Sequence, residues 1–394
     1  MRSTRRVDRL AALAATATLV VAWLAGAALS PVDVTPFLPD ALPSAERFEP
    51  LEGDTFAAFR GEERLGFVAT GESAGYGGPL TVAVGVDPEG AVRGTAIVAH
   101  RETPSFFDRV VRSGLRGRLA GKGYADPFAL GDDVDGVTGA TATSRALAEA
   151  VRSGSRRVAA EQLGKTVPEP EPPPVRFGAP EITVLVLYAV GFVGQRRRLR
   201  FRKALRWATL LTGLFVLGFW LVVPLTISRV SSFLLGFWPQ WQTNLYWYLL
   251  IGGILFIATV DNKNGYCAWF CPFGAAQECM AVIGGAKLTV ARAYRRRLVW
   301  VHRGLAWLAL MLALLFRNPG VSSYEVFGAL FAFTGSTALF ALLGILLVVS
   351  LFVKRPWCHY LCPLDPVYDV VRLGRAWVLE QWTGTRRRLD ASSS

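Results

Sequence analysis

The chain has 394 residues, of which 52% are hydrophobic, and its 43 basic and 30 acidic side chains give a formal charge of +13. An apolar content this high excludes a disordered chain, and five cysteines in this length exclude a small disulfide-stapled domain. The length allows two or three domains.

The first apolar block runs from Leu10 to Leu29 and follows four arginines. It is long enough for one membrane-spanning helix. Basic, apolar and small residues in this order are also typical of a signal peptide, and the segment from Ala25 to Ser30 offers a cleavage site. Because the apolar block is longer than signal peptides use, we expect residues 1–30 to form an N-terminal transmembrane anchor, with a signal peptide as the alternative.

Residues 31–164 predict an α+β domain. Thr81 to Val86 alternates in the way of a strand and ends at an Asp-Pro-Glu-Gly turn, after which Gly94 to Ala99 predicts the returning strand. Helices are predicted from Ser105 to Leu119 and from Ser144 to Leu163.

The segment from Asp135 to Ser144 reads Asp-Gly-Val-Thr-Gly-Ala-Thr-Ala-Thr-Ser. Glycines and small side chains let a backbone come close to a ligand. Thr141 and Thr143 place hydroxyls just before a predicted helix, where free N–H groups and the helix dipole favour a phosphate. Arg145 adds a positive charge. An ordinary capped turn is the alternative.

The string from Asp135 to Thr141 resembles the recognition motif of a flavin transferase, which joins FMN through its phosphate to a threonine hydroxyl. This motif occurs in the FMN-binding domains of the Rnf and sodium-pumping NADH:quinone reductase complexes and of the NosR/NirI family. The resemblance implies covalent FMN on Thr141. The other loop residues that it assigns to FMN binding are Asp135, Gly136, Thr138, Gly139, Ala140, Thr143 and Ser144.

A second segment, His100-Arg-Glu-Thr-Pro, resembles the Glu-Thr-Pro segment near the isoalloxazine ring in the same domains, and this adds Glu102 and Thr103 to the implied site. The two motifs occur in the family's order, and this resemblance spans about residues 75–163. A protein with this motif needs a flavin transferase as a maturation partner.

Residues 165–179 are rich in proline and predict a stiff linker. The polytopic membrane domain is predicted over residues 180–375, and a basic tail over 376–394. With the first apolar block, five further blocks predict six spans in all, at about 180–194, 207–227, 245–260, 304–316 and 333–353.

Basic residues decide the orientation, because they are retained on the cytoplasmic side. Residues before the first span carry four Lys or Arg, and residues 195–206, 261–303 and 354–394 carry seven each. The opposite loops carry one each, Arg229 and Arg317. We therefore expect a multi-pass protein of the cytoplasmic membrane with both termini inside and an extracytoplasmic domain outside. Since topology explains most of the charge, no nucleic-acid partner is expected.

The cysteines repeat one pattern, Cys267-Ala-Trp-Phe-Cys271-Pro and Cys358-His-Tyr-Leu-Cys362-Pro. Each repeat follows a predicted span on its cytoplasmic side. Thiolates at this spacing suit an iron–sulfur cluster or another thiophilic metal, and two loops together supply four ligands. Buried apolar cysteines are the alternative. No role is assigned to Cys279. Solvated or interfacial roles are favoured for His302 and His359, with a role as a metal ligand as the alternative for either.

This half of the chain resembles the membrane part of the NosR/NirI, NapH and PceC proteins, and the match around Cys267 continues through Cys271-Pro-Phe-Gly-Ala-Ala-Gln-Glu. The family resemblance implies a metal set of Cys267, Cys271, Cys358 and Cys362, most simply around a 4Fe-4S cluster. The sequence departs from NosR because it has no C-terminal ferredoxin module with two four-cysteine runs. It is closer to the shorter PceC-like layout.

The hypothesis is a redox carrier rather than a self-contained enzyme. Electrons from quinol or a reduced protein would pass from the cytoplasmic side to FMN outside, for a respiratory or extracytoplasmic reductase. Two alternatives are a regulatory protein that senses redox state and a maturation factor for a secreted metalloenzyme. A hydrocarbon core about 30 Å thick separates the two sites, and a bound quinone, a partner subunit or another cofactor would have to bridge it. Aromatic residues near the outer face, including Trp220 and Trp247, predict an interfacial belt.

Overall fold

The computed structural model describes residues 2–29, 33–75, 77–102, 104–169, 174–196, 200–288 and 292–392. It consists of a long N-terminal helix, a sheet domain and a helical bundle. The segment 170–173, at the centre of the predicted proline-rich linker, lies outside the described residues, as does Thr103.

The sheet domain contains one five-stranded antiparallel meander in the order β1-β2-β3-β4-β5. The strands are β1 (Arg47–Pro50), β2 (Thr55–Arg60), β3 (Glu63–Ala74), β4 (Pro79–Val86) and β5 (Val92–His100). The central strands β3 and β4 each contain a stretch that is buried on both faces, as a run of small and β-branched residues allows. The helices of this domain are α2 (Leu38–Ala41), α3 (Pro104–Arg112), α4 (Leu115–Arg118) and α5 (Thr141–Glu161).

Both faces of the sheet are covered. Helix α5 packs Leu147 and Val151 against Val82 and Val84 of β4 in one apolar core. The short helix α2 packs Leu38 over the other face, in a second core. Because α5 is held against the central strands, its N-terminus at Thr141 has a fixed position on the domain surface.

The predicted hairpin is confirmed as β4 and β5, whereas the strands β1 to β3 were not predicted. The single helix predicted from Ser105 to Leu119 is wrong, because the chain breaks at Ser113 and Gly114. Gly114 adopts φ +71°, and the Ser113 hydroxyl accepts from the Leu115 N–H (3.3 Å) to start α4. Helix α5 begins at Thr141, three residues before the predicted start.

The remaining helices differ widely in length, from five residues to 29. They are α1 (Arg2–Leu29), α6 (Ala179–Arg196), α7 (Arg202–Thr212), α8 (Ile227–Leu234), α9 (Leu245–Asp261), α10 (Gly265–Trp269), α11 (Pro272–Ile283), α12 (Arg292–Leu315), α13 (Thr337–Phe352), α14 (Pro356–Tyr360) and α15 (Leu364–Ser392). Two π-helical segments, Gly213–Trp220 and Gly328–Ala332, continue α7 and precede α13.

Helix α1 packs along α12. Gly26 permits the close approach, because a Cβ at this position would lie 2.3 Å from the carbonyl oxygen of Leu314. The indole N–H of Trp307 donates to Thr18 Oγ1 (3.0 Å), and Arg303 forms an ion pair with Asp8 (2.8 Å). These contacts make α1 part of the bundle.

Two helices in the described residues are long and apolar enough to cross a membrane, Asp8–Leu29 and Arg297–Leu315. A third span is present if Leu245–Asp261 and Gly265–Ile283, which meet at a 98° bend, are one broken span. Helix α13 is apolar but has only 16 residues. The described helices therefore support a membrane protein, while the count of six spans stays a prediction.

Candidate cofactor sites

The Asp135–Ser144 segment forms a tight loop that ends in the first turn of α5. The Ala140 N–H donates to the carbonyl oxygen of Val137 (2.9 Å), and Gly139 between them adopts φ +75°. A side chain at Gly139 would be strained by this φ, and its Cβ would lie 2.4 Å from Arg109 Nη1. The loop geometry thus explains why glycine stands at this position.

The hydroxyl groups at the start of α5 have different environments. Thr141 is exposed, whereas Thr143 is 1% and Ser144 0% exposed. Ser144 Oγ accepts from the Val137 N–H (3.1 Å) and donates to the Ala140 carbonyl (2.9 Å), so it braces the loop from beneath. Of these three residues, only Thr141 is open to a modifying enzyme.

Two arginines bind the exposed side of the loop through its carbonyl oxygens. The Arg109 guanidinium donates to the carbonyl oxygen of Thr138, and the Arg118 guanidinium donates to that of Asp135, each at a distance of 3.4 Å. Their charges add to the positive end of the α5 dipole. Asp135, Gly136, Thr138 and Gly139 surround Thr141 at the surface, and Ala140 is buried. The surface beside Thr141 is therefore suited to a phosphate group.

Asp133 orders the chain segment that leads into the Asp135–Ser144 loop. Partial burial would raise the pKa of this carboxyl, but its hydrogen bonds with Lys122 (2.9 Å), the Ala129 N–H (2.6 Å) and the Phe128 N–H (3.1 Å) outweigh burial, and the pKa is lowered. The anchored carboxylate orders the turn that precedes Asp135.

Glu102 lies apart from this loop in the sequence and faces the connection between β3 and β4. It is 4% exposed, and its Oε2 accepts from the Gly77 N–H (3.1 Å). Its partner in the predicted site, Thr103, lies outside the described residues. The structure therefore shows Glu102 as a brace for the turn at Gly77, and a role in flavin binding stays a prediction.

The two Cys-x3-Cys-Pro segments have the same local structure. In each, the first cysteine lies in a five-residue helix, α10 or α14, and the proline after the second cysteine precedes or begins the next helix. The Cys271 N–H donates to the Tyr266 carbonyl (2.9 Å), and the Cys362 N–H donates to the Trp357 carbonyl over the same distance. The sequence repeat is thus a structural repeat.

All four cysteines line one cavity of about 520 Å³. Cys271 and Cys362 are buried, and Cys267 and Cys358 are half-buried. Polar and basic residues from the segments predicted to be cytoplasmic also line it: Gln195, Arg202, Asn262, Lys263 and Arg372. The structure brings the predicted metal ligands together, at a cavity with a basic lining.

The sequence predicts each cysteine segment just beyond the inner end of a span. In the structure, helices α10 and α11 meet α9 at a 98° bend, and the Leu225 N–H, from the end of the bundle predicted to be outside, donates to the Tyr266 hydroxyl (3.1 Å). Tyr324, from a loop predicted to be outside, donates to the Leu361 carbonyl between Cys358 and Cys362 (2.9 Å). Large side chains such as Trp357, which is 1% exposed, draw these segments into the apolar core.

Polar side chains tie one cysteine segment to the other. Gln277 Nε2 donates to Cys358 Sγ (3.2 Å), and Gln277 Oε1 accepts from the Trp357 N–H (2.9 Å). Arg355 donates to the Cys267 carbonyl (2.7 Å) and pairs with Glu278 (2.9 Å). No role was assigned to Gln277 from the sequence. The adjacent polar residues Gln277 and Glu278 in the mostly apolar α11 are the signal that could have indicated it.

The other candidate ligands separate into two groups. His302 is buried at 3% exposure, and its Nε2 contacts the Cys362 carbonyl, so of the predicted solvated or interfacial roles the solvated one is excluded for this residue. His359 is exposed and lines the cysteine cavity. Cys279 packs against the apolar core and is not among the residues that line the cavity.

Within the described part of the chain, no group of three or more His, Cys, Asp or Glu side chains is arranged to hold a single metal ion. Four thiols around one cavity match the ligand set of an iron–sulfur cluster. These residues therefore fit the cluster that the sequence predicted.

The sheet domain contacts the bundle at α8. Ser232 of α8 donates to the Gly77 carbonyl (3.3 Å). A small cavity at this contact is lined by Gly77 and Phe106 of the sheet domain and by Phe327 of the bundle, and Phe327 also lines the cysteine cavity. We call the small cavity the Phe327 cavity.

Comparison with protein families gives two matches. The FMN-binding domain model matches residues 75–155, which include the Thr141 loop, and the 4Fe-4S binding domain model matches residues 243–290 and 336–379, which include both cysteine segments. FMN and an iron–sulfur cluster are thereby confirmed as the cofactors. The covalent bond to Thr141 and the individual ligands stay predictions.

Three curated relatives together cover both halves. A component of the proton-translocating ferredoxin:NAD(+) oxidoreductase complex of Clostridium ljungdahlii is 33% identical, over 31% of this chain and 69% of its own length. Protein NirI of Paracoccus denitrificans is 31% identical, over 49% of this chain and 30% of its own. Regulatory protein NosR of Pseudomonas aeruginosa is 29% identical, over 46% of this chain and 27% of its own length. The chain thus spans less than a third of NirI and NosR.

Proposed function

The chain belongs to the NosR/NirI-like FMN-binding proteins, electron-transfer flavoproteins with FMN-binding and 4Fe-4S domains, and we propose that it carries electrons across the cytoplasmic membrane. The donor is a quinol or a reduced protein at the cytoplasmic side. The acceptor is FMN bound covalently to Thr141 in an extracytoplasmic domain, for a respiratory or extracytoplasmic reductase.

The cofactors supply the redox chemistry, and the chain supplies position and burial. FMN exchanges one or two electrons when bound, and an iron–sulfur cluster exchanges one. Thr141 provides an exposed hydroxyl for the phosphoester, while the buried Ser144 holds its loop. Cys267, Cys271, Cys358 and Cys362 provide four thiolates in a cavity that apolar side chains close on one side.

The observation that carries this proposal is the position of Phe327, which lines both the cysteine cavity and the Phe327 cavity beneath the sheet domain. Its ring centroid lies 5.1 Å from that of Phe273 and 6.2 Å from that of Trp357. Aromatic side chains therefore lead from the cysteine cavity towards the sheet domain, which supports electron transfer between a cluster in that cavity and a flavin on the sheet domain.

The charge of the cavity lining supports entry from the cytoplasm. Arg202, Lys263 and Arg372 line the cysteine cavity, and each belongs to a basic segment that the charge rule retains inside. A basic lining attracts an acidic donor protein or an anionic head group.

The proposed domains are an anchor over 1–30, an FMN-binding domain over 31–164, a linker over 165–179, a membrane domain over 180–375 and a tail over 376–394.

The name of one relative, Regulatory protein NosR, favours a second candidate function. In this alternative the chain uses its FMN to sense redox state, or to supply electrons for the maturation of a secreted metalloenzyme. Its partners would be a flavin transferase, membrane lipid and redox proteins on both sides, as in the first proposal.

Sealed vesicles distinguish the candidates. Flavin-loaded protein is placed in vesicles with one orientation, and a reductant that does not cross the membrane is enclosed on the cytoplasmic side. A carrier bleaches the flavin absorbance, and the double variant Cys271→Ser with Cys362→Ser prevents it. Flavin that stays oxidised in the wild type under these conditions would exclude the carrier.

A further inference from the structure

A large cleft lies between the sheet domain and the bundle, next to the Thr141 turn. Its volume is about 740 Å³, which is within the roughly 300–1,000 Å³ range of ligand pockets. The sheet domain contributes Gly75, Ala142 and Arg145, and the bundle contributes Arg229, Asn244 and Trp247. We call this space the interdomain cleft.

The cleft begins where a flavin on Thr141 would be tethered. Ala142 follows Thr141 directly, and Arg145 lies one helical turn further along the same helix. A ring attached through its phosphate to Thr141 can therefore enter the cleft while the phosphate stays at the N-terminus of α5. More arginines than acidic side chains line the space, which favours a ligand that gains negative charge on reduction.

Arg229 and Trp247 form a packed pair at the bundle side of the cleft. The Arg229 guanidinium carbon lies 4.6 Å from the Trp247 ring centroid. Trp247 is 6% exposed, so it does not belong to the interfacial belt predicted from the sequence. Both residues also line the Phe327 cavity, so the pair stands between the cleft and the aromatic group at the cysteine cavity.

We propose that the interdomain cleft binds the isoalloxazine ring of the FMN, with Arg229 and Trp247 of the membrane bundle as ring-binding residues. A flat aromatic ring with polar edges matches an indole face and a guanidinium with several N–H donors. This inference rests on the proposed function, since it needs the flavin on Thr141. It adds that the membrane half completes the flavin site.

Flavin fluorescence tests the proposal, because an indole in contact with the ring quenches its emission. Flavin-loaded full-length protein in detergent is compared before and after denaturation, with Trp220→Leu as the matched control because Trp220 is 70% exposed. We expect Trp247→Leu to raise the emission of the folded protein several-fold and Trp220→Leu to leave it unchanged. Equal emission from wild type and Trp247→Leu, with flavin present on both denatured bands, would overturn ring binding in the interdomain cleft but not the covalent attachment. A wild-type band without flavin would overturn the covalent attachment and the cleft together.

A second variant keeps the test independent of the folding of Trp247→Leu. Arg229→Gln removes a positive charge from the cleft and should lower the midpoint potential of the flavin, because the reduced ring loses a favourable partner. Arg317→Gln is the matched control, since Arg317 lies over Phe237 and is not among the residues that line the cleft. Equal potentials for Arg229→Gln and Arg317→Gln would contradict the proposal.

Discussion

Gln277 and Cys358 join the two cysteine segments: the amide on α11 donates to the thiol on α14 over 3.2 Å, while its oxygen accepts from the Trp357 N–H. Four ligands from two segments can serve one cluster only if the segments keep a fixed separation. This amide, 0% exposed, sets that separation from the interior of the bundle.

We expect Gln277→Ala to lower iron and sulfide content. The change leaves the Trp357 N–H without its acceptor, at a cost of about 1–3 kcal/mol for an unsatisfied buried donor. Iron is measured in anaerobically purified protein. Cys279→Ser is the control that keeps full iron content, and Cys271→Ser with Cys362→Ser is the variant that loses it. Full iron in the double variant would disprove the assignment of these ligands.

Flavinylation should depend on Thr141 and not on Thr143. Thr141 is exposed at the first turn of α5, whereas Thr143 is 1% exposed and faces the domain core. After coexpression with a flavin transferase, ultraviolet-excited fluorescence of the denatured gel band should disappear in Thr141→Val and persist in Thr143→Val. Fluorescence that persists in Thr141→Val would place the flavin on another residue.

Glu325 should make the stability of the fold depend on pH. It lies between the predicted spans, its Oε1 accepts from the Ile227 N–H (2.8 Å), and burial raises its pKa from 4.5 to about 8. At a pH between these two pKa values, the carboxyl is protonated in the folded chain and ionised in the unfolded chain. A rise in pH therefore favours unfolding.

We therefore expect the melting temperature of the wild type to fall relative to Glu325→Gln as pH rises from about 5 to about 8, and the difference to level off above that. Glutamine keeps the acceptor for Ile227 and does not titrate. Glu49→Gln, an exposed position on β1, serves as control and should follow the wild type. A constant difference across the range would contradict burial of Glu325 in its neutral form.

The N-terminal helix should remain in the mature protein. Cleavage after about residue 28 would remove three contacts with α12: the close packing at Gly26, the Thr18–Trp307 hydrogen bond and the Asp8–Arg303 ion pair. Intact mass of membrane-extracted protein should include residues 2–29. A mass that starts near residue 29 would show a signal peptide instead.

Local patterns in the sequence predicted the parts of the fold that depend on local chemistry. The β4–β5 hairpin follows from alternation and an Asp-Pro-Glu-Gly turn, and the Thr141 loop from its glycines and small residues. The cysteine set could be inferred because the same motif occurs twice. These signals lie within a few residues of the structure that they specify.

Long-range packing was not predictable in the same way. Nothing next to Cys267 indicates that α10 and α11 turn back by 98°, because that bend depends on where Tyr266 and Leu225 meet in the bundle. The burial of His302 is not indicated by its neighbours in the sequence, because its contact, the Cys362 carbonyl, is 60 residues away. The Arg229–Trp247 pair likewise becomes a candidate site only once the sheet domain lies over it.

Sidedness is the central claim, and whole-cell labelling tests it most directly. A cysteine is added at each of two exposed positions, Asp132 beside the flavin loop and Lys263 at the cysteine cavity. A maleimide that does not cross membranes is applied before and after permeabilisation, and labelling of the wild type, with its five free cysteines, is subtracted. We predict that Asp132→Cys reacts in intact cells and Lys263→Cys only in permeabilised ones. Reaction of both in intact cells, or of neither, would place the two cofactor sites in one compartment and contradict transfer across the membrane.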